Sequence, residues 1–162
     1  MFALDGYFFH TVCRERNYGG IRLYFKNYLQ VDIIPQLTKI NDICESLCVQ
    51  AHIKNIGSVS LLCIYRPPCR SISEFNNFLQ DTIKNIISNS KCIIVGDFNI
   101  DFLNLNMPHI FEFFSGLFEE SYRFLVTKAT HLIGSCSNSL IDHIVTNLKV
   151  DYEAVVFEHK IS

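Results

Sequence analysis

The sequence predicts an α/β (α+β) domain in which helices flank mixed sheets. Short apolar runs rich in β-branched residues are interspersed with two longer segments of helical periodicity, which is the pattern of a layered domain. The 162 residues are 49% hydrophobic and include 14 Phe and 7 Tyr, which suffices for one core in a chain too short for two. Because no repeat, charge block or low-complexity linker divides the sequence, we expect a single domain over residues 1–162.

Five segments in the first two thirds of the chain predict strands. Tyr7–Val12 and Ile21–Phe25 carry the aromatic and β-branched residues typical of strands. Apolar and polar residues alternate over Leu47–Ile53, which predicts a strand with one buried face. Val59–Tyr65 and Cys92–Val95 are nearly continuous apolar runs, and such runs suit strands covered on both faces. We expect these last two strands to be central in their sheet.

Two helices are predicted by capping residues and apolar periodicity. Ser71 and Glu74 have the spacing of a capping box, and apolar residues then recur at helical spacing to about Asn89. A second helix is predicted from Pro108, since proline suits the first helical position. Each helix presents one broad apolar face and therefore needs a sheet to cover. Further strands are predicted at Arg123–Val126, Leu140–Val145 and Ala154–Phe157.

The cysteines and the N-terminal residues bear on the cellular compartment. The chain has seven cysteines without a zinc-site spacing, and Cys63 and Cys92 lie within apolar runs as small hydrophobes do. Free thiols in a reducing compartment are therefore predicted. Residues Met1–His10 lack the features of a signal peptide, and no segment has membrane-spanning length. We expect an intracellular protein, nuclear or cytoplasmic rather than secreted, with no membrane partner.

The net charge limits how the chain could bind nucleic acid. A formal charge of -2 gives no general attraction to polyanions. Any such contact must then depend on a local basic patch or on bound cations. Arg14, Arg16, Arg22 and Lys26 are candidates for a patch, although a solvated rim would have the same composition.

The segment with the most chemical information is 92–101. A buried strand ends here in Gly96 and places Asp97 and Asn99 on the loop that follows. In a phosphodiester hydrolase, such an Asp can activate the attacking water, and an Asn amide can orient that water or hold a phosphoryl oxygen. A turn in which both side chains cap local backbone amides has the same sequence. Taken alone, the segment favours the turn.

Two other segments shift that balance towards chemistry. The run 59–66 ends with Tyr65 and Arg66 before two prolines, and a phenol and a guanidinium both suit phosphate oxygens. Asp142 lies in an otherwise apolar predicted strand, where an unpaired carboxylate would be costly. We therefore expect Asp142 to be buried with a partner, which could be a His, an Arg, a metal ion or a backbone donor.

The order of these segments resembles the endonuclease/exonuclease/phosphatase family, and most of all the apurinic-type endonuclease domains of non-LTR retrotransposons. The matching elements are Tyr-Arg-Pro-Pro at 65–68, Gly-Asp-Phe-Asn at 96–99 and Ile-Asp-His at 141–143. Residues 16–26, with their Gly-Gly pair, are also similar to the glycine-rich hairpin of that group. The resemblance covers nearly the whole chain and implies a four-layered α/β sandwich.

The resemblance also implies a mechanism. Tyr65 would contact the scissile phosphate, Asp97 would activate water, and Asn99 would position that water against phosphorus. Asp142 would hold a catalytic histidine in the correct tautomer. Mg²⁺ or Mn²⁺ would neutralise the charge that develops during in-line attack. DNA would be the substrate of the complete domain, and no small-molecule cofactor would be needed. For this mechanism the side chains of Tyr65, Asp97, Asn99 and Asp142 would have to converge on one pocket.

The sequence departs from the family's pattern in several places. An Asn-bearing strand and a metal-binding Glu are expected ahead of the hairpin, and a Ser-Asp-His segment at the end, but none of these is found. We therefore expect a fragment truncated at both ends, with an incomplete active site and no activity by itself. His143 is predicted on the face opposite Asp142 and His159 in solvent, so neither is expected to replace the histidine. Asp101 could approach a metal ion, although an exposed loop carboxylate is the expected outcome. Ala129-Thr130-His131 lacks the Arg of the group's Pro-Thr-Arg.

Two alternatives remain open. A non-catalytic remnant or interaction module would use Asp97 and Asp142 only to hold loops, and it would expose a sheet edge. A phosphatase-like or sphingomyelinase-like relative would act on small phosphoesters or lipids, which fold alone does not distinguish. The Tyr-Arg-Pro-Pro and Ile-Asp-His-Ile-Val-Thr-Asn segments favour nucleic acid.

Overall fold

The computed structural model describes residues 3–13, 20–86, 91–104, 106–133, 137–149 and 154–156. The elements are β1 Tyr7–Val12, β2 Ile21–Lys26, β3 Gln30–Ile33, a 3-10 helix Pro35–Leu37, β4 Lys39–Ile40, β5 Glu45–Ile53, β6 Gly57–Tyr65, α1 Ile72–Asn85, β7 Lys91–Asp97, α2 Pro108–Glu119, β8 Arg123–Phe124, β9 His131–Ile133, β10 Ser137–Ser139 and β11 Asp142–Thr146.

A seven-stranded mixed sheet forms the centre of the molecule. Its strand order is β3-β5-β6-β7-β11-β8, and β4 pairs with β5 as well. Strands β6 and β7 are parallel, and α1 supplies the crossover that a parallel pair requires. The remaining pairs are antiparallel. The runs predicted to be central therefore do lie in the middle of the sheet.

Helix α1 begins at its predicted capping residue. The side chain of Ser71 accepts a hydrogen bond from the backbone N–H of Glu74 at 3.2 Å, which confirms half of the predicted capping box. The helix ends at Asn85, earlier than the predicted end near Asn89. Helix α2 begins at Pro108, as predicted.

Both helices cover the same face of the large sheet. Phe75 of α1 and Phe113 of α2 are stacked with ring centroids 5.7 Å apart, and both contact Phe98 from the loop after β7. All three rings are fully buried, and burying a phenylalanine stabilises the fold by about 2–3 kcal/mol. This aromatic cluster fixes the end of β7 relative to the helices. Neither helix in the described ranges is long and apolar enough to span a membrane.

The opposite face of the sheet is covered by the β1–β2 hairpin, which packs against β5 and β6. Ile21 and Phe25 of the hairpin form a second core cluster with Leu47 and Val49 of β5. The prediction that residues 47–53 have one buried face was wrong only at Cys48, which is buried in the core under the helices. Leu47, Val49 and Ala51 on the hairpin side are buried, whereas Gln50 is half-buried and His52 is exposed.

The prediction that β6 and β7 are covered on both faces was also wrong in part. Leu61, Ile93 and Val95 remain half-buried on the side opposite the helices. The cause is the position of the hairpin, whose main contacts are with β5 and β6, so that β7 has less cover on this side. A nearly continuous apolar run thus identified central strands without showing how completely they are covered.

The mixed α+β class is confirmed, and the described residues provide three layers, namely the helices, the large sheet and the hairpin. Residues 154–156 are not a strand, and Phe157 lies outside the described residues. The short strands β3, β4, β9 and β10 were not predicted. That residues 1–162 form a single domain stays a prediction.

The described cysteines are free thiols, as predicted. Cys48 and Cys92 are fully buried, and burial raises the pKa of Cys48 to about 12 and that of Cys92 to about 11. These thiols stay protonated and act as small hydrophobic side chains. Cys13 and Cys69 are exposed, and Cys136 lies outside the described residues.

Candidate active site

Four polar side chains form a row across neighbouring strands at one end of the seven-stranded sheet. Glu45 in β5 is paired with Tyr65 in β6. Tyr65 is paired with Asp97 in β7, and Asp97 is paired with Asp142 in β11. Directly paired residues project to the same face, with Cβ atoms about 4.5–5.5 Å apart in antiparallel pairs. We call these four residues the polar row.

The polar row lies on the face that the helices do not cover. Tyr65 packs with the hairpin cluster, whereas its neighbour Ile64 belongs to the core under the helices. Since side chains alternate along a strand, the residues paired with Tyr65 share its face.

Gly96 allows β7 to approach β6 closely beside the polar row. Its φ is +152°, and a Cβ atom built there would lie 1.8 Å from the carbonyl oxygen of Ile64. Any side chain would therefore force the two strands apart. The glycine in the Gly-Asp-Phe-Asn segment thus sets the position of Asp97 next to Tyr65.

The loop after β7 is a tight turn closed by its own side chains. The backbone N–H of Asn99 donates to Oδ1 of Asp97 at 2.8 Å, and Asn99 has a φ of +48°, which Asn tolerates better than most residues. The Nδ2 atom of Asn99 donates to the carbonyl oxygen of Arg66 at 2.8 Å. The turn predicted as the alternative is therefore present, and it holds the carboxylate of Asp97 in the polar row.

Asp97 is half-buried, and its electrostatic environment favours a proton. Burial raises the pKa of Asp97, and the nearby carboxylate of Asp142 raises it further. Hydrogen bonds from Asn99 and the positive charge of Arg66 act in the opposite direction without cancelling the effect of burial. A carboxylate with raised proton affinity is better suited to general-base chemistry than an ordinary surface aspartate.

Arg66 is a structural residue. Its side chain is only 3% exposed. The Nε, Nη1 and Nη2 atoms donate to the carbonyl oxygens of Phe98, Arg70 and Asn99 at 2.6, 2.6 and 2.5 Å. The interpretation of this guanidinium as a phosphate ligand was wrong, because all three nitrogens are engaged by backbone carbonyl oxygens, two of them in the loop after β7.

Asp142 is exposed, and the prediction that it is buried was wrong. The strand predicted from Leu140 begins instead at Asp142, at the edge of the covered part of the sheet. Backbone N–H groups of Ile141 and Asp142 donate to Oγ1 of Thr130 at 3.3 and 3.1 Å. Thr130 therefore holds the start of β11 and with it the carboxylate of Asp142.

His143 lies on the helix-covered face, as strand alternation predicted. It is 1% exposed and stacks against Phe102, with ring centroids 3.9 Å apart. Nε2 lies 3.3 Å from the carbonyl oxygen of Ile100, and burial lowers the pKa of His143 to about 4. A neutral imidazole on this face cannot act with Asp142. His159 lies outside the described residues.

Asp101 ties the loop to β11. Its Oδ1 accepts hydrogen bonds from the N–H groups of Leu140 and Leu103 at 2.9 and 3.1 Å, and its Oδ2 accepts one from Asn104 at 2.7 Å. The expectation of an exposed loop carboxylate was wrong, because Asp101 is half-buried and fully engaged in this turn.

A pocket of about 250 Å³ opens beside the polar row. Asp97, Asp142 and Thr130 provide its polar walls, and Val126 and Val156 contribute apolar walls. The structure brings all four predicted site residues to one end of the sheet, but Tyr65 and Asn99 flank this pocket and do not line it. The catalytic roles assigned to the four residues stay predictions.

Glu45 is the member of the polar row that the sequence interpretation missed. It is 1% exposed, and its Oε2 accepts a hydrogen bond from the N–H of Gly20 at 2.6 Å. Glu45 thus joins the hairpin to the row. The available signal was a charged residue directly ahead of an apolar strand, which the short turn between β5 and β6 places opposite Tyr65.

The site offers few side-chain ligands for a cation. Among the described residues, no group of three or more His, Cys, Asp or Glu side chains is arranged to hold a metal ion. The adjacent carboxylates of Asp97 and Asp142 are two hard oxygen donors, which is the number that Mg²⁺ commonly takes from a protein when water and phosphate supply the others.

Comparison with known proteins identifies the architecture. No protein-family model matches the chain, and no curated protein sequence matches it. Among solved structures, the endonuclease domain of TRAS1, a telomere-specific non-LTR retrotransposon, superimposes with a TM-score of 0.68 at 16% identity, over 88% of this chain and 68% of that one. An endonuclease/exonuclease/phosphatase family protein from Leptotrichia buccalis gives 0.66 at 12% identity, over 93% and 63%. The chain has the endonuclease/exonuclease/phosphatase fold.

The endonuclease/exonuclease/phosphatase fold serves more than one activity. A mannosyl-6-phosphatase from Bacteroides thetaiotaomicron matches with a TM-score of 0.59 at 18% identity, over 88% of this chain and 63% of that one. The chain spans about two thirds of the length of these structures. Similarity at such identities establishes the fold, and function has to be argued from the site.

Proposed function

We propose that this chain forms the core of a metal-dependent phosphodiester hydrolase that acts on DNA, of the kind encoded by retrotransposon-like elements. The observation that carries the proposal is the position of Asp97 in the polar row, between Tyr65 and Asp142 and at the wall of a pocket. A turn that only caps its own backbone would not require Asp97 to lie between Tyr65 and Asp142.

Asp97 is the proposed general base. Burial raises its pKa, so its carboxylate accepts a proton from water more readily than a solvated aspartate does. Asn99 fixes the orientation of that carboxylate through its backbone N–H. The hydroxyl of Tyr65, on the adjacent strand, is the proposed hydrogen-bond donor to a phosphoryl oxygen.

Mg²⁺ or Mn²⁺ is the proposed cofactor. Asp142, exposed beside Asp97, is the carboxylate best placed to hold the ion, which leaves Asp97 to accept the proton from water. When bound, a divalent cation supplies neutralisation of the charge that develops on the phosphoryl oxygens.

DNA is the proposed substrate because the sequence elements resemble retrotransposon endonucleases and because the TRAS1 endonuclease domain shares the fold. A phosphatase is the second candidate, supported by the fold of the mannosyl-6-phosphatase.

The test is a plasmid-nicking assay with Mg²⁺ or with EDTA, run on this chain and on a version extended at both ends from its genomic locus. We expect nicking only by the extended version, and by that version only in Mg²⁺. Asp97→Asn keeps the acceptor for the N–H of Asn99 and removes the base, so nicking should fall at least about a hundredfold. Asp81→Asn, which removes an exposed carboxylate on α1, is the matched control and should leave nicking unchanged.

Four outcomes would contradict the proposal. Nicking that survives Asp97→Asn would exclude the assigned base, and nicking in EDTA would exclude the metal. Hydrolysis of a small phosphomonoester without nicking would favour the phosphatase. If neither version acts on either substrate, the chain is a non-catalytic interaction module.

A further inference from the structure

The β1–β2 hairpin has a second face, directed away from the large sheet, on which aromatic rings and cations are paired. Phe8 and Phe25 point inward and belong to the hairpin's core cluster. Because side chains alternate, the outward rings and cations are those of Tyr7, Phe9, Arg22, Tyr24 and Lys26, with Tyr28 just beyond the strand. We call these six residues the ring-cation face.

The rings and cations of this face are in direct contact. The guanidinium carbon of Arg22 lies 4.8 Å from the ring centroid of Phe9, and Nζ of Lys26 lies 4.2 Å from that of Tyr7. Phe9 and Tyr24 are side by side with ring centroids 5.7 Å apart. A hydrogen bond with Tyr7 raises the pKa of Lys26, so this amine stays charged.

The ring-cation face is accessible. Arg22 and Lys26 are exposed, Tyr7, Phe9 and Tyr24 are half-buried, and Tyr28 is 83% exposed. Four aromatic residues on an outward surface are more than the hairpin needs, because its inner face already provides the apolar contacts to the sheet. Exposed cation–π contacts contribute little to stability, so they do not explain the set.

We propose that the ring-cation face binds single-stranded nucleic acid, with bases stacked on the rings and phosphates held by Arg22 and Lys26. Alternating cations and half-exposed rings are what a flexible polynucleotide requires, since every base has a flat face and every linkage a negative charge. An acidic peptide would match the charges and leave the rings unused. In a duplex the base faces are already stacked on one another.

The face is connected to the polar row. Gly20, just ahead of β2, donates to the carboxylate of Glu45, so the hairpin begins at the row and extends away from it. Binding to this face does not require that the pocket be catalytic.

The charge component is tested by fluorescence anisotropy with a labelled oligothymidine of about 20 nucleotides, in EDTA. The double variant Arg22→Gln/Lys26→Gln should lose about tenfold in affinity. The plot of log affinity against log salt should become shallower, its slope falling in magnitude by about 1.4. The control Lys54→Gln/Lys84→Gln removes two exposed lysines from the β5–β6 turn and from α1. It should change affinity less than about twofold.

The stacking component is tested with Phe9→Leu, which keeps an apolar side chain, and with Tyr28→Ser. Each should weaken binding about fivefold or more. Tyr28 is so exposed that Tyr28→Ser leaves the fold intact even if Phe9→Leu does not. Melting temperatures identify any variant that has unfolded.

Equal losses of affinity in Arg22→Gln/Lys26→Gln and in its control Lys54→Gln/Lys84→Gln would overturn the inference. Unchanged affinity in both Phe9→Leu and Tyr28→Ser would overturn it too. So would tighter binding to a duplex of the same length or to poly-glutamate. Because Asp97→Asn does not touch this face, it should bind the oligonucleotide normally. If neither the unsubstituted chain nor its extended version nicks DNA while binding to the oligonucleotide is intact, the proposed function is refuted and this inference stands.

Discussion

The two faces of the seven-stranded sheet differ more than their shared backbone suggests. One face carries a dry aromatic core with Phe75, Phe98 and Phe113, and the other carries the polar row. Along β11 the change occurs within a single step, because Asp142 is exposed and His143 is 1% exposed. Alternation along a strand thus places packing and chemistry on adjacent residues, and the rigidity of the packed face positions the groups on the polar face.

The loop after β7 belongs to both faces. The ring of Phe98 is anchored in the aromatic core, while Asp97 faces the pocket. Arg66 holds this loop from within by hydrogen bonds to its carbonyl oxygens. Perturbing the anchors should therefore disturb the polar row without touching it.

The largest effect is expected from Gly96→Ala. The new Cβ would overlap the carbonyl oxygen of Ile64, so β6 and β7 must separate, at a cost of about 4 kcal/mol in the free energy of unfolding. Gly6→Ala is the matched control, since Gly6 also has a positive φ of +79° but no atom within 4 Å, and it should cost about 1 kcal/mol. Urea unfolding measures both. Equal losses would show that φ, and not strand contact, determines the requirement for glycine.

The next effect concerns the buried imidazole. The pKa of His143 is about 4 in the folded protein and 6.5 in an unfolded chain, so between these values the unfolded chain binds a proton that the folded protein does not. Stability should fall as the pH is lowered from 6.5 to 4, by about 3 kcal/mol from this residue. Unfolding at a series of pH values measures it. His143→Phe keeps a ring and removes the titration, and an unchanged pH dependence in this variant would refute the assignment.

A smaller loss is expected from Arg66→Lys. Lysine keeps the charge but lacks the planar group that reaches three carbonyl oxygens, so unfolding should become easier by about 2 kcal/mol. Arg70→Lys, at an exposed position four residues away, should change stability by less than about 0.5 kcal/mol. If Arg66→Lys were equally harmless, the guanidinium would not be what holds the loop.

These residues also show how far the sequence could be interpreted. Periodicity and capping located α1, the start of α2 and the central strands, because these signals are local. The order of three short segments predicted that Tyr65, Asp97 and Asp142 would come together. The pairing of β6 with β7 and of β7 with β11 does bring them together. The inward turn of Arg66 and the exposure of Asp142 depend on which elements cover each end of the sheet. That is a property of tertiary packing that no local pattern contains.

The smallest effect expected is a shift in the titration of Asp97 when its neighbour loses its charge. The carboxylate of Asp142 is one cause of the raised pKa of Asp97, second to burial among the causes that raise it. Asp142→Asn should therefore lower the pKa of Asp97 part of the way towards its ordinary value, while burial keeps it raised. The carboxyl carbon resonance of Asp97, followed by NMR against pH, measures the shift. Asp32→Asn, at an exposed position on β3, is the control and should leave the titration unchanged. If the pKa of Asp97 is the same in Asp142→Asn as in the unsubstituted chain, the two carboxylates do not share one face of the sheet in solution. The polar face would then lose the feature that most distinguishes it from the packed face.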